Sequence, residues 1–317
     1  MKITVIGAGN VGATCANVIA HKALANQIVL VDVKPGLAEG KALDMWQTAP
    51  VNIFDTRIVG VTNDYLATKG SEIVVITSGV PRKPGMSRDE LIATNAKIVK
   101  EVTEKAVKYS PDAVFIVVSN PLDVMTYAVY LAANKHHSKV FGMAGILDAA
   151  RYKAFIADIL NTSPRDVQAL LLGGHGDTMV PLPRYTSVSG IPISQLLNKE
   201  EIDKIVQKTR EGGGELVKLM GTSAWYAPGA AVALMVEAIV HDQHRIFSIC
   251  AHLNGEYGLK DIYLGVPVKL GRNGVEEVIE IELNKDEKKL LSDSADSVRK
   301  LIKVLDDMKL FTPSYEG

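Results

Sequence analysis

Residues 7–12 read Gly-Ala-Gly-Asn-Val-Gly; they follow the β-branched run Ile3-Thr4-Val5-Ile6 and open a helical pattern. That context gives a G-x-G-x-x-G match its meaning. Gly7 permits a tight turn, Gly9 lets the backbone approach a pyrophosphate, and Gly12 lets helix and strand pack closely. The helix N-terminus offers amide donors to the anion, so Gly7, Ala8, Gly9, Asn10, Val11 and Gly12 form a candidate phosphate cradle. Asp32 follows, 20 residues beyond Gly12, at the end of the next strand pattern. A carboxylate there accepts hydrogen bonds from a ribose hydroxyl and repels the extra phosphate of NADP, which favours NAD. The alternative is a glycine-rich turn in a nucleotide-free α/β protein, and strand, helix and acid together weigh against it.

Short Val- and Ile-rich runs at 3–6, 27–31, 72–77 and 113–118 read as strands buried on both faces, hence as a parallel sheet. Helical patterns at 11–25, 37–48 and 89–109 alternate with them, predicting a doubly wound domain. Beyond Gly145 the pattern changes to a helix at 146–160, strands near 167–172 and 262–269, and helices near 200–220 and 230–244. The fold class is therefore α/β: a doubly wound parallel sheet of the Rossmann type over residues 1–142, and an α+β substrate domain over 143–317. A last amphipathic helix is expected at 285–308, with its charges solvated.

The net charge of −1 provides no general field for nucleic acid or an anionic membrane, so any anion must be met by a local site. Cys15 and Cys250 lie far apart, which argues against a disulfide framework or a structural zinc site. With no leader peptide in view, a cytoplasmic location is expected. His241 and His244 sit three apart on a helical pattern but read as a solvated face, and no metal is expected.

Polar residues interrupt apolar elements at Ser119-Asn120-Pro121, Leu147-Asp148-Ala149-Ala150-Arg151 and Gly173-Gly174-His175-Gly176-Asp177-Thr178. His175, flanked by glycines after a strand, is placed for presentation at a cleft, with an ordinary pKa near 6.5 suited to proton transfer at neutral pH. Asp148 and Arg151 are three apart, on one helix face. Taken alone they would read as a surface ion pair. Asn120 ends a strand at its carboxyl end, where open α/β sheets bind ligands, although a structural turn is the alternative. The segment 80–88 combines prolines, a glycine and three cations, Arg82, Lys83 and Arg88, and reads as a lid over an anion.

With these motifs in this order, the chain resembles the lactate and malate dehydrogenase superfamily over nearly its whole length, and its lactate-dehydrogenase-like bacterial malate dehydrogenases most of all. The resemblance implies an NAD-dependent 2-hydroxy-acid dehydrogenase. It gives His175 the acid–base role, Asp148 the ring-orienting role and Arg151 the C1 carboxylate of the substrate. Arg88 would polarise the reacting carbonyl, and Asn120 would touch nicotinamide and substrate, in a turn that often holds a cis peptide. Asn95 and Val118 would contact the cofactor. Arg82 stands where lactate dehydrogenases carry Gln, so the resemblance implies malate and oxaloacetate as the substrate pair. A second guanidinium suits a second carboxylate and would be stranded over the methyl group of pyruvate. A lactate or other 2-hydroxy-acid dehydrogenase is the nearest alternative, and a non-catalytic NAD sensor a more distant one. A homo-oligomer, dimer or tetramer, is implied as well. Gly221-Thr222-Ser223-Ala224 aligns only roughly with a substrate-facing wall.

Overall fold

The computed structural model describes residues 1–81 and 85–311. The first half of the chain supplies strands β1 (Lys2–Ile6), β2 (Gln27–Asp32), β3 (Arg57–Thr62), β4 (Ile73–Ile76), β5 (Val114–Val117) and β6 (Val140–Gly142). Most of their Val, Ile and Leu side chains are fully buried, as strands covered on both faces require. They pair in parallel in the order β3-β2-β1-β4-β5-β6. This is the doubly wound dinucleotide-binding order, which reverses direction between β1 and β4 and opens a crevice at the strands' carboxyl ends. The intervening helices are α1 (Asn10–His21), α2 (Leu37–Gln47), the short α3 (Ala49–Asn52), α4 (Arg88–Tyr109) and α5 (Leu122–Ala133).

Helix α6 (Ala144–Leu160) leads into the second half. Five two-residue strands follow: β7 (Val167–Gln168), β8 (Leu171–Leu172), β9 (Val180–Pro181), β10 (Ser187–Val188) and β11 (Ile191–Pro192). The chain then forms α7 (Ile193–Leu196), α8 (Lys199–Met220), α9 (Tyr226–Val240), β12 (Arg245–Asn254), β13 (Lys260–Gly271), β14 (Gly274–Val278) and α10 (Lys285–Asp307). Cys250 of β12 pairs antiparallel with Gly142 of β6, so β12, β13 and β14 extend the parallel sheet to nine strands. The two halves thus share one sheet.

Two expected elements are drawn differently. The run 167–172 is not one strand, because β7 pairs with β10 while β8 pairs with β9. The helix expected to reach residue 244 stops at Val240, because Asp242 and His244 adopt left-handed φ values of 51° and 50°. The chain then turns into β12.

Missing side chains set how closely the layers approach. A Cβ on Gly12 would lie 1.9 Å from the Gly7 carbonyl oxygen, and one on Gly229 would lie 2.7 Å from Thr14 Cγ2. The first contact seats α1 on its loop; the second seats α9 of the C-terminal half directly on α1. At Gly60 a Cβ would lie 2.1 Å from the Ala38 carbonyl oxygen, where α2 crosses β3. Backbone cannot yield there as a flexible side chain would. Gly60→Ala is therefore expected to destabilise the fold by about 1 to 3 kcal/mol, as overpacking typically does. Gly40→Ala, inside α2 with open space around it, should instead be neutral or stabilising by up to about 1 kcal/mol. Urea unfolding of both variants checks the contrast.

Candidate active site

The cradle begins where β1 ends. Gly7 takes a φ of 107°, and its amide donates to the Val31 carbonyl at 2.8 Å, tying the loop to β2. The Ala8 amide donates to Asp32 Oδ2 at 2.6 Å, and the Lys34 amide to Asp32 Oδ1 at 2.9 Å. Asp32 thus braces the glycine loop as well as ending β2. A Cβ on Gly9 would meet no atom within 4 Å, so backbone faces open space beside the N-terminus of α1. Open backbone, helix amides and a carboxylate on the neighbouring strand are what a dinucleotide needs. The residues present fit NAD.

A cleft of about 550 Å³ opens beside this loop, lined by Val11, Arg88, Asn95, Val118, Asn120, Arg151 and His175. A separate cavity of about 510 Å³ around Tyr257, Glu280 and Lys288 contains none of these groups.

His175 sits in the glycine turn after β8, and its placement depends on missing side chains nearby. Gly173 exchanges backbone hydrogen bonds of 2.9 and 3.1 Å with Gly265 of β13, where a Cβ on Gly265 would lie 2.4 Å from the Gly173 oxygen. The His175 amide donates to Asp123 Oδ2 at 2.9 Å. Its ring Nδ1 lies 2.8 Å from Asp148 Oδ2, which leaves Nε2 for the cleft. Asp148, on α6, is 3% exposed at its side chain, and its other oxygen accepts from Arg151 Nη1 at 3.3 Å. This is no surface ion pair: one buried carboxylate binds the imidazole with one oxygen and the guanidinium with the other. Burial acts to lower the His175 pKa, but the charge and hydrogen bond of Asp148, aided by Asp123 and opposed by Arg151, raise it above 6.5.

Asn120 precedes a cis bond to Pro121 and borders the cleft. Asn95 is 1% exposed on α4. Its Nδ2 donates to the Asn120 carbonyl at 2.7 Å and the Val80 carbonyl at 3.2 Å, and its Oδ1 accepts from the Val80 amide at 2.8 Å. Both amide hydrogens are thereby used, so Asn95 clamps two cleft loops together. Val118 is buried at the cleft wall. Arg88 is the first residue of α4, whose start is fixed by a capping box between Ser87 and Glu90, and its side chain lines the cleft. Arg82 and Lys83 lie outside the described residues. His244 pairs with Glu276 at 2.7 Å on the surface, away from His175.

Sequence reasoning missed Asp123, Thr77 and Arg210. Thr77 donates from its hydroxyl to the Gly7 carbonyl at 3.0 Å and so holds the phosphate loop to β4. Arg210 and Gly213 line the same cleft as Arg151, with Ser223 and Ala224, and a Cβ on Gly213 would lie 3.8 Å from Arg151 Nη1. The Gly212-Gly213-Gly214 triplet inside a helical pattern was the available signal, since such a run weakens a helix unless space is needed.

A parallel sheet with a phosphate cradle at its switch point, and a histidine–carboxylate pair facing the same crevice, defines a nucleotide-dependent enzyme scaffold. The family model for the lactate/malate dehydrogenase NAD binding domain matches residues 1–142, and that for the alpha/beta C-terminal domain matches residues 146–308. The chain belongs to the lactate/malate dehydrogenase family. It is 60% identical over 308 residues to the malate dehydrogenase of Cytophaga hutchinsonii, covering 97% of this chain and 99% of that protein. The solved malate dehydrogenase of Salinibacter ruber superposes with a TM-score of 0.94 at 54% identity, covering 98% of this chain and 99% of that one. A lactate dehydrogenase of Cryptosporidium parvum, solved with lactic acid and NAD, reaches a TM-score of 0.93 at 39% identity, covering 96% of this chain and 98% of that one.

The Asp148 contact carries a direct expectation. An NMR titration of the His175 ring should give a pKa above 6.5 in the native protein, and Asp148→Asn should bring it down, because the neutral amide no longer favours the imidazolium.

Proposed function

We propose that this chain is an NAD-dependent malate dehydrogenase, which interconverts (S)-malate and oxaloacetate. The observation that carries the reading is the sharing of buried Asp148 between His175 Nδ1 and Arg151 Nη1 at the wall of the cleft that adjoins the phosphate cradle. The high identity to malate dehydrogenases over nearly the full length supports the same substrate.

Bound NAD supplies the acceptor for the hydride leaving C2 of malate. In that direction neutral His175 takes the C2 hydroxyl proton at Nε2, while Asp148 holds the ring and stabilises the imidazolium. In the other direction the imidazolium returns the proton to the carbonyl oxygen of oxaloacetate. Arg151 holds the C1 carboxylate with the part of its fork that Asp148 leaves unused. Arg88 stabilises negative charge on the reacting oxygen. Asn120 orients substrate and nicotinamide, and Asn95 keeps Asn120 in place. Gly7, Ala8, Gly9, Asn10, Val11 and Gly12 would hold the pyrophosphate of NAD, Asp32 its ribose, and Val118 would pack against it.

Arg82 is assigned the C4 carboxylate on its sequence position and charge. Lactate dehydrogenase activity is the second reading, and the structural likeness to the Cryptosporidium enzyme is what favours it. The same proposal places the boundary between the cofactor half, 1–142, and the substrate half, 143–317, at the entrance to α6. Exposed Val51, Ile53, Leu219 and Tyr226 support a homo-oligomer, dimer or tetramer. Among the described residues no helix is long and apolar enough to cross a membrane. Two free, buried cysteines are in keeping with a cytoplasmic location.

Oxidation of NADH, followed with oxaloacetate and pyruvate in parallel, tests the reading. Oxaloacetate should be turned over far faster, and faster turnover of pyruvate would replace malate with lactate as substrate. Arg82→Gln should lower oxaloacetate turnover by about a hundredfold and raise pyruvate turnover relative to it, the scale of one lost buried charge contact. The pH dependence follows from the raised His175 pKa. Oxaloacetate reduction needs the imidazolium and should hold until pH reaches that pKa, above the ordinary histidine value, and fall beyond it. Malate oxidation needs the neutral ring and should rise over the same interval.

A further inference from the structure

We propose that Asp123 is a positioning residue of the acid–base pair, a second buried carboxylate that fixes the His175 turn and shares the charge of the protonated ring. The inference rests on the acid–base role assigned to His175.

Asp123 lies in the first turn of α5, directly after the cis Asn120–Pro121 bond, and is 7% exposed. One oxygen accepts the His175 amide at 2.9 Å, and the only other donor to the carboxylate among the described residues is the weak Cys250 thiol of β12. A buried carboxylate met by one amide and a weak thiol donor is costly unless positive charge stands near it. Here that charge comes from the N-terminus of α5 and from the imidazolium. Gly174 makes the approach feasible: a Cβ there would lie 3.3 Å from Asp123 Oδ2 and 2.9 Å from both Thr178 Oγ1 and Val298 Cγ2. A neutral anchor stands beside it, since the Gly174 amide donates to Ser294 Oγ of α10 at 2.8 Å.

The titratable groups around the pair are few. Asp148 and Arg151 face His175 from α6, and the Cys250 thiol of β12 faces Asp123. Arg88 of α4 and Asp177 of the histidine loop line the cavity of about 270 Å³ that Asp123 and His175 share. Burial, with a smaller push from the Asp148 charge, holds the Asp123 carboxyl above the usual carboxylate range, against the pull of the His175 amide, the ring charge and the Cys250 thiol. Its ionised form is therefore favoured when the ring is protonated, and its charge in turn raises the ring.

Asp123→Asn keeps one acceptor oxygen and the volume, turns the other oxygen into an amide donor, and removes the negative charge. Its fold and NADH affinity should be retained, with the plateau rate of oxaloacetate reduction at low pH within about threefold of native and the falling limb moved down by about one pH unit, the scale of one nearby buried charge. Ser294→Ala removes a neutral anchor of the same loop and should change the plateau without moving the limb. A limb in Asp123→Asn coincident with the native one overturns the proposal. If Asp123→Asn does not fold, Asp123→Ser is measured in its place: a lowered limb supports the proposal and an unmoved limb overturns it. Asp148→Asn separates the levels. If it moves the limb and Asp123→Asn does not, only the role of Asp123 falls; if neither moves it, His175 is not the titrating acid.

Discussion

A carboxylate buried as deeply as Asp148 is tolerated only when both oxygens are met by donors or positive charge, and here each has its own partner. The His175 ring takes one and the Arg151 guanidinium the other. Much of the site follows from this division. It sets Nδ1 against a carboxylate, leaving Nε2 for the cleft, and it holds the guanidinium at the wall of the same cleft. It also ties the imidazole and the guanidinium to the charge of one anion.

The sheet makes the arrangement possible by bringing distant stretches of chain to one edge. Asp32 ends β2, Asn120 follows β5, Asp148 lies on the helix after β6, and His175 follows β8, whose loop is pinned to β13 at Gly265. Because β12 pairs with β6, the C-terminal half is fixed to the cofactor half through backbone hydrogen bonds as well as side-chain packing. Helix α9 resting on α1 at Gly229 adds a second tie close to the phosphate loop. Precise placement of a proton-transfer group demands rigid support of this kind.

Much of this is legible in the sequence where local chemistry is dense. The glycine loop, Asp32 and the Val- and Ile-rich strands each carry their own physical signature, and all occur where expected. The strand Arg57–Thr62 is hidden because its burial depends on α2 crossing at Gly60, a tertiary contact. The strand Arg245–Asn254 has its start hidden behind a helical pattern, since the turn that separates them is set by two left-handed residues with ordinary side chains. Asn95 and Asp123 are opaque for a related reason. Each is one polar residue in a helical pattern, and its partners lie on loops distant in sequence. Asn95 is reached only through the family resemblance, and Asp123 not at all.

The most direct test of the shared carboxylate is a crystal structure of the protein with NADH and a non-reducible four-carbon dicarboxylate. One ligand carboxylate is expected on Arg151, with C2 facing His175 Nε2 at hydrogen-bonding reach, about 3 Å from its oxygen substituent or that of a hydroxylated analogue. Asp148 should still bridge His175 and Arg151. A ligand whose carboxylates avoid Arg151, or a His175 ring turned away from Asp148 in that complex, would contradict the shared-carboxylate mechanism.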